Sequence, residues 1–143
     1  MKITSKSFKH KEMIPKKFTC QGSDINPSLD IEEIPQGAKS LVLVMDDPDA
    51  PGGVWVHWVM YNIPITKTVE EDSSPGEEVI NSFGKKSYGG PCPPSGTHRY
   101  YFKIYALDTK LELGKDVNLN DLKKAMQGHI LDESQIVGLY KKE

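Results

Sequence analysis

A chain of 143 residues with 18 basic and 20 acidic side chains, net charge −2, has room for one core. It has no overall field to draw it to nucleic acid or an anionic membrane. Hydrophobic residues make up 37% of the chain, and no apolar run nears the length of a membrane-spanning helix, so no membrane insertion is expected.

The chain starts with a short strand candidate, Lys2–Ser5. Lysines occur there, but no apolar stretch follows them as in a secretory signal, and a cytoplasmic location is expected. Phe18–Cys20 and Ser28–Ile31 are further short candidates. Ser40–Asp46 is a continuous apolar run of strand length, suited to the centre of a sheet. The acidic segment Asp46-Asp47-Pro48-Asp49-Ala50-Pro51-Gly52-Gly53 follows directly. Proline extends the residue before it, so Asp47 and Ala50 are extended and the Asp47 and Asp49 carboxylates can share a side. The same composition also suits an ordinary turn, and Ala50–Pro51 is a candidate cis bond.

Val54–Ile63 carries β-branched and aromatic residues on both parities, as a strand covered on both faces does. His57 lies within it, on the parity of Trp55, Val59 and Tyr61. A histidine there is ordinarily a core residue. It gains interest from the aspartates a turn away, one of which would fix its tautomer. Pro64–Lys86, with Glu70-Glu71-Asp72-Ser73-Ser74-Pro75-Gly76 inside it, reads as a long exposed acidic loop of the kind that flanks a site.

The second dense segment is Gly89-Gly90-Pro91-Cys92-Pro93-Pro94-Ser95-Gly96-Thr97-His98-Arg99-Tyr100. Its glycines and prolines make a rigid loop that runs into the strand Arg99–Leu107. His98 and Tyr100 share a parity and project to one side, where imidazole and phenol can donate to a phosphate or carboxylate oxygen. Amides around Gly90 and Gly96 would add donors as in an anion-binding nest. Arg99 faces the other way and should pair with a carboxylate. One helix follows, capped by Asn120, with Leu122, Ala125 and Met126 as its stripe and Gly128 as its stop. Gln135–Tyr140 is the last strand candidate.

Ten prolines and twelve glycines among such runs indicate a mostly β sandwich or barrel. Other chemistry fits less well. Gly84-Lys85-Lys86-Ser87 lacks the upstream glycine of a phosphate loop, and Ser95 sits in no nucleophile elbow. Asp47, Asp49, His57 and His98 are acceptable zinc or manganese ligands, but their spacing matches no metal motif. Cys20 and Cys92 are too few for a disulfide scaffold, and whether they pair is open. No cofactor motif appears and no nucleophile stands out, so the expected activity is binding, with a hydrolase as a weaker alternative.

Asp47-Pro48-Asp49-Ala50-Pro51 with His57-Trp58, followed by Gly90 through Tyr100, resembles the paired signature of the phosphatidylethanolamine-binding protein family, which includes the Raf kinase inhibitor proteins. Ile14-Pro15-Lys16-Lys17-Phe18-Thr19-Cys20 and Gly128-His129-Ile130-Leu131 are similar to its compact bacterial and archaeal branch. The resemblance implies a single domain over residues 1–143, a two-sheet antiparallel β-sandwich with one or two short peripheral helices. It also implies a pocket for a small anion or phosphorylated head group. Asp47, Asp49, His57, Pro94, His98 and Tyr100 would line it, with Gly90 contributing through its loop. A regulatory role is implied, with inhibition of a protein kinase or protease through the surface around the pocket as the alternative function, and a homodimer is implied by microbial relatives. With donors on one side and Asp47 and Asp49 on the other, the expected ligand is a small anion carrying a positive group, such as phosphoethanolamine. Ile31 departs from the family, standing where many relatives have tryptophan, and the longer relatives' C-terminal helix has no counterpart before Glu143.

Overall fold

The computed structural model describes residues 1–143. Its strands are β1 (Lys2–Thr4), β2 (Leu29–Glu32), β3 (Ser40–Asp47), β4 (Trp55–Ile63), β5 (Thr68–Val69), β6 (Glu77–Glu78), β7 (His98–Leu107) and β8 (Ile130–Tyr140). A single α-helix, α1 (Leu119–Met126), lies between β7 and β8. The strands form two sheets, ordered β1-β2-β5 and β6-β4-β3-β7-β8, with every pairing between named strands antiparallel. The expected mostly β, two-sheet architecture is what forms. No helix is long and apolar enough to cross a membrane.

β3 is buried along its whole length because it lies at the centre of the larger sheet with both faces covered. Leu41, Leu43 and Met45 turn inward onto Ile3, Leu29, Ile31 and Val69 of the smaller sheet. Val42 and Val44 turn outward under a second cluster with Leu122 and Met126 of α1. On β7, Tyr100, Phe102, Ile104 and Ala106 supply the inward face, as their alternation predicts.

Four local expectations fail for physical reasons. Phe18–Cys20 is not a strand: Lys16–Phe18 forms one 3-10 turn, and the Thr19 hydroxyl closes onto the Lys16 carbonyl at 2.8 Å. The helix is capped by Asn118 and not by Asn120. Asn118 accepts from the Asp121 amide while the Asp121 carboxylate accepts from the Asn118 amide, a reciprocal box that a cap at position 120 would lack. Pro64–Lys86 is more than a loop, since it contains β5 and β6 and buries Val69, Val79 and Asn81. The Ala50–Pro51 bond is trans.

His57 does not share a face with Val59 and Tyr61. Met45 pairs with Trp58 while Asp46 pairs with Val56, so β4 carries one extra residue at this point, and that residue is His57. A bulge of this kind re-aims the side chain it carries. Trp55 and Asp47, opposite one another, then face inward with His57 and Trp58.

Candidate functional site

Where β3 ends, β4 begins and β7 begins, the inward faces leave a cavity of about 330 Å3. Asp47, His57, His98 and Tyr100 line it with Trp55, Phe83 and the 92–94 loop. A cleft of about 830 Å3 lies along β2 and the Ile65–Thr68 segment, but none of its ionisable side chains is buried. Of these two, only the smaller cavity collects buried titratable groups.

Asp47 is buried at the end of β3 and makes two bonds. Its Oδ1 accepts from the Asp49 amide at 2.8 Å, and its Oδ2 accepts from His98 Nδ1 at 2.7 Å. Because a carboxylate only accepts, this pair fixes the His98 proton on Nδ1 and leaves Nε2 for the cavity. His57 Nδ1 donates to the Gly89 carbonyl at 2.7 Å and likewise leaves Nε2. Burial lowers the His57 pKa, opposed in part by the Gly89 carbonyl, so the ring is neutral near pH 7. The expected arrangement, an aspartate orienting His57, is replaced by Asp47 orienting His98.

Tyr100 is fully buried, and its hydroxyl makes no hydrogen bond of good geometry, although the Cys92 backbone and the Asp47 carboxylate lie close enough to bear on its titration. Burial raises its pKa, with the charge of Asp47 adding to the effect, so the phenol keeps its proton. A buried hydroxyl without a partner costs about 1–3 kcal/mol. The Tyr100 ring meets His57 edge-on at 5.2 Å between centroids and stacks with His98 at 6.5 Å. Phe83 packs edge-on against both His57, at 5.3 Å, and Trp55, at 5.5 Å.

The opposite wall is the loop before β7. Cys92 forms a disulfide with Cys20, and the Cys20 amide donates to the Pro91 carbonyl at 3.1 Å. Tyr88 donates to the Phe18 carbonyl at 2.7 Å. The Gly90 amide donates to Asp24 Oδ1 at 2.8 Å. Gly90 tolerates no side chain, because a Cβ there would lie 2.3 Å from the Asp24 carboxylate and 2.4 Å from the Phe18 carbonyl. Asn81 fixes the approach of Phe83. Its amide nitrogen donates to the His57 and Ser87 carbonyls, and its oxygen accepts from the Phe83 and Lys85 amides.

The structure therefore brings together five of the seven site residues expected from sequence: Asp47, His57, Pro94, His98 and Tyr100. Asp49 does not line the cavity. Arg99 holds it through Nε at 2.9 Å, Nη2 at 2.8 Å and its backbone amide at 3.0 Å. These bonds lower the Asp49 pKa to about 2. Gly90 stands behind the wall with its amide already used by Asp24. Both carboxylates expected to meet a cationic group are thus matched by protein partners. Sequence reasoning missed Ala50, Pro51, Trp55, Phe83, Cys92 and Pro93 as lining residues. Trp55 carried a signal, since it opens β4 two residues before His57 and on the same parity. No group of three or more histidine, cysteine or acidic side chains is placed to hold a metal.

The model of the family described as phosphatidylethanolamine-binding protein matches residues 4–141. A UPF0098 protein of Methanothermobacter thermautotrophicus is 43% identical, the match covering 99% of each chain. The crystal structure of CT736 from Chlamydia trachomatis, titled a putative phosphatidylethanolamine-binding protein homolog, superposes with a TM-score of 0.96 at 39% identity, covering 99% of this chain and 97% of that one. YbcL of Escherichia coli, titled a new member of the mammalian family, gives a TM-score of 0.90 at 28% identity, covering 99% and 98%.

Proposed function

This chain belongs to the phosphatidylethanolamine-binding protein family, and from that premise we propose that it is a non-catalytic binding protein whose cavity seats a small oxyanion, phosphate or carboxylate, free or at the end of a larger molecule. One observation carries the reading: the Tyr100 hydroxyl, buried, protonated and without a partner, beside the free edge of His98. A buried donor is stabilised by an acceptor delivered into the cavity, and an oxyanion is a strong one. Phe83 and Trp55 give the cavity an aromatic side, suited to the carbon skeleton that bears the oxyanion.

Asp47 and Asp49 already have partners, so a cationic group on the ligand is not required. Calorimetric titration with inorganic phosphate and with phosphoethanolamine checks both points. The two are expected to bind with similar affinity, and Tyr100→Phe is expected to weaken each by about tenfold, the worth of one hydrogen bond to a charged acceptor. Unchanged phosphate binding by Tyr100→Phe would remove the basis for the reading. A large preference for phosphoethanolamine, lost in Asp47→Asn, would restore the requirement for a cationic group.

A further inference from the structure

The cavity lacks the usual counterpart of an anion. No lysine or arginine lines it, and its one charged wall residue is Asp47, a carboxylate. Both histidines spend Nδ1–H on protein acceptors, Gly89 for His57 and Asp47 for His98. In their neutral forms both rings therefore offer the cavity a lone pair on Nε2, which repels an oxyanion oxygen. The side-chain donors left on the lining are the Tyr100 hydroxyl and the Trp55 indole N–H, both neutral. Neutral donors beside a buried negative charge do not hold a bare anion.

We infer that the cavity takes its oxyanion together with a proton, so that the species bound is an acid and binding consumes about one proton at neutral and higher pH. This rests on the oxyanion reading above and adds the proton to it. The geometry assigns the proton to the line between His98 Nε2 and the nearest ligand oxygen. Either the ligand arrives protonated and donates to the Nε2 lone pair, or His98 takes a proton from solvent and donates to the oxygen. Linkage counts the same proton in both cases.

His98 is better placed than His57 to carry it. Asp47 lies on its far nitrogen, so an imidazolium there forms a buried pair with a carboxylate. His57 has only a carbonyl behind it. The surroundings of His98 add no second cation. Asp47 faces it from β3, His57 and Tyr100 line the same cavity, and Tyr140 is its register partner on β8. Asp49 acts from the turn but is neutralised by Arg99, whose guanidinium lies outside the cavity. Asp46 turns to the other face of the sheet, toward Lys103.

The consequence for ligand choice is that phosphomonoesters enter as monoanions, and fully ionised groups with no accessible proton bind only at low pH. Acetate is the decisive probe, because it stays ionised across the range in which imidazole titrates. Calorimetry with acetate and with inorganic phosphate, between about pH 6 and pH 9 and in two buffers of different ionisation enthalpy, reads the proton directly. The acetate affinity is expected to fall by about tenfold per pH unit above the imidazole range, with uptake approaching about one proton per acetate bound. His98→Gln is expected to flatten that slope. Should His98→Gln fail to fold, the His98 ring signals of the intact protein report instead, shifting to imidazolium on addition of acetate at about pH 8. Acetate affinity constant across the range, without proton uptake, overturns the inference and leaves the oxyanion reading standing. Failure of both ions to bind at any pH overturns both.

Discussion

On one wall of the cavity, Asp47, His98 and Tyr100 stand on the ends of β3 and β7, two strands joined to each other along a continuous ladder. On the other wall, Phe83, Cys92 and Pro94 stand on segments that belong to no strand. The strand wall gets its geometry from alternation and burial. The loop wall gets its geometry from single long-range ties: the Cys20–Cys92 disulfide, the Gly90 bond to Asp24, and the four hydrogen bonds of Asn81. The difference matters because chemistry and containment are divided between the walls. Groups able to exchange protons with a ligand stand on the sheet, while the loops set the shape of the cavity around them.

The comparison breaks most visibly at the disulfide. The bond closes a loop of 72 residues, and the double variant Cys20→Ser, Cys92→Ser is expected to lose about 4 kcal/mol in denaturant unfolding, the chain-entropy value for a loop of that length. A loss below about 1 kcal/mol would mean that hydrogen bonds alone hold the loop wall. On the strand wall the expected effect is smaller and opposite in sign. Tyr100→Phe deletes a buried hydroxyl that has no partner, so the unliganded protein should gain about 1 kcal/mol in the same measurement, even as its oxyanion affinity falls. A clear loss of stability would show that the hydroxyl is satisfied without a ligand.

The smallest effect concerns Asp49, at the turn outside both walls. Its pKa falls from 3.8 to about 2, chiefly through the Arg99 side chain. Folding therefore gains from this group above about pH 4, and the gain is lost as pH drops toward 2. Thermal unfolding of Arg99→Gln should differ from the parent above about pH 4 and converge with it at lower pH, where Asp49 is protonated in both. A difference that grows toward low pH would assign Arg99 another role.

What the sequence made legible divides along the same line. Ser40–Asp46 announces β3 by its unbroken apolar run, and the alternation from Tyr100 to Ala106 assigns the inward face of β7 correctly. The shared side of His98 and Tyr100 follows from the same period of two. His57 escapes this logic, because a one-residue bulge reverses the parity and leaves no mark in composition. Asp49 escapes it because two aspartates two residues apart look equivalent, and only the position of Arg99 across the turn separates them. The ties of the loop wall span tens of residues. Asn81 lay inside what reads as an acidic loop, although its side chain holds Phe83 in place over His57.

The central claim is that Tyr100 and His98 together receive an oxyanion oxygen. A crystal structure of the protein grown or soaked with inorganic phosphate at about pH 6 tests it most directly. The expected result is a tetrahedral ion in the cavity with oxygens within hydrogen-bond distance, about 2.5–3.2 Å, of both Tyr100 Oη and His98 Nε2. Water alone at Tyr100, or phosphate bound elsewhere with the cavity empty of it, would contradict the account.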